Sequence, residues 1–214
     1  MSTTNIMNIA EKTKALAEIY AAFEEDVSEF KKSAACKIGC SDCCIHVGNV
    51  DIITLEGIVI QKMVSAFVKR EKKEITKRLF ENRAERERGG LARCAFLKKD
   101  NSCLIYDIRP FSCRRIYSIE TCNRSQQPIV HRQAFTIANE TIRRLQGLDD
   151  TGYSGHMSFI LCLLEKPDFK KTYLSGKFDP GKIMTFGKSH GLIINRATAH
   201  RAKDLQFGGA SAAP

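Results

Sequence analysis

Cys36-Lys37-Ile38-Gly39-Cys40-Ser41-Asp42-Cys43-Cys44 is the first of two blocks that together hold eight of the nine cysteines. The second runs from Cys94 through Cys103-Leu104-Ile105-Tyr106-Asp107-Ile108-Arg109-Pro110-Phe111-Ser112-Cys113-Arg114-Arg115 to Cys122. Thiolate is a soft ligand, and four of them satisfy tetrahedral zinc or the corners of an iron–sulfur cluster. Four cysteines within nine residues are too dense for scattered core thiols. Cys40 and Cys43 have the two-residue gap of a metal knuckle. Cys43 and Cys44 are adjacent, so their Cα atoms lie about 3.8 Å apart and their side chains diverge. One ion can hardly take both without strain; the pair serves two sites, or two irons. Eight thiols taken four at a time also make two sites, with each block expected to contribute to each. The spacing leaves open which cysteines share a site.

The candidate ligands are therefore Cys36, Cys40, Cys43, Cys44, Cys94, Cys103, Cys113 and Cys122, and the implied metal is zinc or iron, an iron–sulfur cluster included. Gly39 and Ser41-Asp42 are turn residues that let the backbone wrap around an ion. His46 follows Cys44 closely and is a lesser candidate ligand. Cys162 stands apart in an apolar run and reads as a buried core thiol. Arg109, Arg114 and Arg115 surround the second block, where cations stabilise a net-negative thiolate site. Arg109 and Arg114 are the candidates for contact with the bound group itself.

Outward from the blocks, the pattern is helical. Residues 1–35 carry an amphipathic helix over 5–32, with Ile6, Ile9, Leu16, Tyr20, Phe23, Val27 and Phe30 on one stripe. That stripe is expected to pack on the chain's own core, with a dimer seam as the alternative. Residues 36–125 form the cysteine-cluster domain, with helices inserted over 52–90 and capped by Asp51 or Thr54. Its segment 71–88 is very charged, and Gly89-Gly90 stops it. Residues 91–106 predict a short β-hairpin around Asp100-Asn101, with few apolar residues of its own. Pro110 suits the first turn of a short helix carrying Cys113. Residues 126–207 form a helical region, with Pro128 opening one helix, Ser154 capping another and Asp168 a third. Residues 208–214 predict a disordered tail. The fold class is mainly α with a small β-hairpin: an irregular metal-stabilised, cysteine-rich core packed by amphipathic helices.

With 214 residues, a real hydrophobic core is available. No signal peptide and no membrane span are expected, so the expected compartment is a reducing cytoplasm, where cysteines serve as ligands or reactive thiols rather than disulfides. The formal charge of +10 invites a nucleic-acid reading, but two tetrathiolate sites of −2 each bring it to +6. The bases also alternate with Glu over 69–88. A solvated face plus counter-charge for the thiolates is the favoured reading, ahead of nucleic acid. A protein partner is left open.

The double-cysteine block followed by Cys94-Ala-Phe-Leu, Cys103-Leu-Ile-Tyr and Arg109-Pro110-Phe-Ser-Cys113-Arg114 resembles the YkgJ-type cysteine-cluster family, the CxxCxxCC domain. The resemblance implies a zinc- or iron-chelating domain over about residues 36–122 and makes the eight cysteines the family's eight. Three residues rather than two separate Cys36 from Cys40, so this position departs from the pattern. Some family members are flagellin lysine N-methylases. That implies, as an alternative, a metal-dependent protein-modifying enzyme, but carries no catalytic residue onto this chain. The main expectation is a metal-binding protein; a nucleic-acid-binding zinc protein is the remaining alternative.

Overall fold

The computed structural model describes residues 7–37, 39–47, 50–122 and 128–177, and the backbone of 196–197. The chain is mainly helical. Helix α1 (Ile9–Asp26) starts where Asn8 accepts hydrogen bonds from the Ala10 and Glu11 amides while Glu11 accepts from the Asn8 amide. This reciprocal cap satisfies donors that the helix cannot. Val27 breaks the helix from the short α2 (Ser28–Lys31). Leu16, Ile19, Phe23 and Val27 are buried in one apolar cluster with Ala134, Ala138 and Leu145 of α6 (Arg132–Leu148). The stripe read from the sequence thus packs within the chain from Ile9 to Phe30, and Ile6 lies outside the described residues.

Strand β1 (Asp51–Ile53) leads directly into α3 (Thr54–Ser65). Neither Asp51 nor Thr54 caps α3: Ile53 is the N-cap, and Glu56 accepts from its amide at 2.9 Å. The Thr54 hydroxyl instead donates to the Tyr153 carbonyl and accepts from the Tyr153 amide. Helix α4 (Lys69–Glu87) is the charged one, and Gly89 ends it at φ 80°, a left-handed conformation suited to glycine. Helix α6 starts at Arg132 with His131 as its cap, four residues after Pro128, and it runs through Gly147.

Strand β2 (Tyr153–His156) pairs antiparallel with β1, Ile52 opposite Gly155, and with the two-residue β3 (Arg196–Ala197). Ser154 lies in β2, and His156 caps α7 (Met157–Leu164). Pro167, not Asp168, opens α8 (Pro167–Leu174). Each of these shifts has the same cause: polar caps compete, and tertiary contacts choose among them. Helix α7 is buried throughout, between α3 and α4. Gly57 permits this, since a Cβ there would stand 2.7 Å from Leu164 Cδ1 and 2.9 Å from Ile160 Cγ2.

The 91–106 segment forms a tight antiparallel bridge, Leu97 opposite Cys103, with the Lys98 amide donating to the Ser102 carbonyl and Leu104 to Phe96. It is better anchored than its sequence suggests. Phe96 is 0% exposed and Ile105 2%, and both join the core around α7. The predicted tail at 208–214 lies outside the described residues.

Candidate metal centre

The first block wraps as its turn residues predict. Gly39 adopts φ 90°, the Cys40 amide donates to the Lys37 carbonyl, and Cys43–Val47 closes into a single π-helical turn. Among its described residues, no side chain of this block is buried, Cys36 and Cys40 being exposed. The second block is built on the packed strap around Phe96 and on the short helix α5 (Phe111–Arg114), which places Cys113. The two blocks meet in space: the Cys94 amide donates to the Cys44 carbonyl at 2.8 Å. At the other end, the Ser118 amide donates to Cys36 Sγ at 3.1 Å, and the Ala35 amide to the Ser118 carbonyl.

The ionisation of the thiols reports their neighbours. Burial pushes Cys94 up to about 11, with the charges of Cys103 and Cys43 adding. Burial pushes Cys113 well above the ordinary thiol value, and Cys94, Cys43 and Cys103 add to that. Cys103 is raised by burial and opposed by the Arg109 charge. Cys43 is raised first by a hydrogen bond to Cys44, then by burial. Cys36 is raised by burial, with Cys40 and Cys122 among its charged neighbours. One neighbourhood therefore gathers Cys43, Cys94, Cys103 and Cys113. Another gathers Cys36, Cys40 and Cys122, and the charge of Cys43 also reaches Cys36.

Among the described residues, no three Cys, His, Asp or Glu side chains converge closely enough to hold an ion as they stand. The backbone sets the neighbourhood, whereas each sulfur still moves by rotation about its own χ1. The donor chemistry fits a soft divalent metal. Burial first, and repulsion between neighbouring thiolates second, oppose ionisation of Cys36, Cys94, Cys103 and Cys113, and a cation among them would offset both. All nine cysteines are free thiols.

Of the arginines, Arg109 stacks on the Tyr106 ring at 4.1 Å and faces Cys103. Arg114 turns towards α1: it lies over Tyr20, 3.7 Å from Glu24, and donates to the carbonyls of Arg109 and Asp107. Arg115 is the guanidinium whose charge meets Cys113 and Asp51, in a site whose burial lowers its own pKa. His46 lies near Asp42, 3.9 Å away. Cys162 is 6% exposed in the α7 core, next to Arg83. Sequence reading missed Glu56. This buried carboxylate accepts from the Phe111 amide at 2.7 Å, from the Ile53 amide and from the Tyr20 hydroxyl, and so fixes the start of α5. A Glu three residues after a helix N-cap was its only signal.

No curated protein and no solved structure matches the chain. Residues 35–140 match the family model described as "Putative zinc- or iron-chelating domain", CxxCxxCC. Those residues span both cysteine blocks, the inserted helices α3 and α4, and the first half of α6. With its two blocks brought together by that scaffold, residues 35–140 of this chain belong to the CxxCxxCC family, a metal-chelating domain.

Proposed function

We propose that the protein is a cytoplasmic metal chelator that holds zinc or iron on two thiolate centres. Cys43, Cys94, Cys103 and Cys113 make the half-buried centre. Cys36, Cys40, Cys44 and Cys122 make the exposed one. The observation that carries this reading is the junction at Cys94 N–H and Cys44 C=O, which sets Cys43 among the second-block cysteines. Cys44 is then assigned to the other centre, where it completes a set of four thiolates. Bound zinc would crosslink the two blocks, whereas an iron–sulfur cluster would add one-electron redox capacity. Arg109 and Arg115 supply positive charge beside the half-buried centre, and Arg114 positions α5 behind it.

The test is metal analysis and visible absorption of protein purified without oxygen. Zinc is colourless and an iron–sulfur cluster is brown. Cys113→Ser should remove metal from one centre and Cys36→Ser from the other, so each variant keeps about half of the wild-type metal and the double variant keeps none. Full loss from either single variant would show one shared centre instead.

A further inference from the structure

We propose that the groove between α4 and residues 92–104 is a docking site for an acidic, extended protein segment. The groove has a volume of about 1470 Å³. Its walls are fixed: Arg78 Nη1 donates to the carbonyls of Ala95 and Leu97, and Asn82 Nδ2 to that of Arg93. Buried Ile75, Ala95 and Leu97 underlie the groove and half-buried Leu104 opens onto it, so the occupant needs apolar side chains as well as charge.

Eight bases and four acids line the groove. Glu74, Glu81 and Glu85 are already paired with Arg78, Lys77 and Arg88. Lys98 pairs with Asp100 outside the groove. Arg70, Lys73, Arg93 and Lys99 are exposed and form no carboxylate pair among the described residues, against Glu71 alone on the acidic side. The surplus is cationic, and it sits on a rim around an apolar floor. Such a surface matches a segment in which carboxylates alternate with apolar residues, because an extended chain presents successive side chains to opposite faces. Nucleic acid fits less well. No aromatic side chain lines the groove to stack a base. The bases also face a concavity, whereas reading a duplex requires an element that enters its major groove. Cys94 opens onto the same groove, so a docked segment would lie beside the half-buried cysteine centre.

The experiment uses the full, metal-loaded chain and fluorescence anisotropy at physiological salt. The probes are a labelled dodecapeptide of alternating Glu and Leu and a single-stranded oligonucleotide of equal charge. The expected result is saturable binding of the peptide, weakened about tenfold by the double variant Arg70→Glu/Lys73→Glu. Lys99→Glu alone should weaken it less. Arg143→Glu/Arg144→Glu, two exposed bases on α6, should leave it unchanged. All variants should retain the wild-type metal content, which separates this result from any failure of the chelation reading. The proposal is overturned by an absence of saturable peptide binding, by equal weakening in the α6 variant, or by tighter binding of the oligonucleotide.

Discussion

Glu56 ties three elements to one buried carboxylate: Tyr20 of α1, the Ile53 amide at the end of β1, and the Phe111 amide that opens α5. Burial raises its pKa, and those three donors oppose the rise. Glu56→Ala strands two buried N–H groups, each costing about 1–3 kcal/mol. The expected loss in urea unfolding is therefore about 2–6 kcal/mol. Glu56→Gln keeps an acceptor oxygen and should lose less. Cys113 lies two residues beyond Phe111, so Glu56→Ala should also lower metal content. An unchanged urea midpoint in Glu56→Ala would show that the carboxylate is dispensable. Cys162 is the contrasting residue. It faces the core and Arg83, remote in sequence from both blocks, and Cys162→Ala should keep the full metal complement. Loss of a metal equivalent in that variant would place Cys162 among the ligands.

At the scale of elements, the two cysteine blocks differ in what holds them. The 94–106 strap buries Phe96, Leu97 and Ile105, each worth roughly 1.5–3 kcal/mol when fully buried. The stretch 36–47 buries no described side chain and hangs on the Cys94–Cys44 and Ser118–Cys36 links. A structural zinc site contributes on the order of 10–16 kcal/mol of apparent binding free energy. That contribution is decisive for 36–47 and less so for the strap. Chelation should therefore expose the amides of 36–47 to hydrogen exchange first. The amides of Leu97 and Leu104 should stay protected, as should those in α1, α6 and α7. The sequence had shown few apolar residues of its own in the hairpin segment, which pointed to order supplied largely by the metal. The structure differs because Phe96 and Ile105, which sit next to cysteines, reach the core around α7. If Leu97 and Leu104 exchange as fast as 36–47 in chelated protein, ligation rather than packing orders the strap.

For the molecule as a whole, pH separates the metal-free from the loaded state. Cys36, Cys43, Cys94, Cys103 and Cys113 hold their protons more tightly than ordinary thiols. Metal must displace those protons, so each filled centre should release about four of them near neutral pH, and affinity should rise with pH. Calorimetry in buffers of different ionisation enthalpy reads that number directly. Release of fewer than about two protons per metal would mean that the thiols are not the ligands. Without metal the slope reverses. A raised folded pKa contributes stability that is present below the ordinary thiol value of 9.0 and is lost as pH rises through the folded value, about 11 for Cys94. Metal-free protein should thus unfold more readily at about pH 10 than at about pH 8. A flat profile there would show that the thiols are not held protonated in the fold.

The sequence alone determined the helical class, the turn at Gly39, the bridge around Asp100-Asn101 and the family, because these depend on local spacing and residue chemistry. Periodicity also marked the stripe on α1. It left open what covers that stripe, since an apolar face seeks any apolar partner; the tertiary structure supplied α6. The adjacent pair Cys43-Cys44 implied two centres without saying which cysteines join each. The fold brought Cys94, Cys103 and Cys113 into the neighbourhood of Cys43, by packing the strap at Phe96 and clamping α5 through Glu56. It also turned Arg114 towards Glu24 and Arg115 towards Cys113, a choice between neighbours that spacing could not make, because successive positions on a helix point about 100° apart.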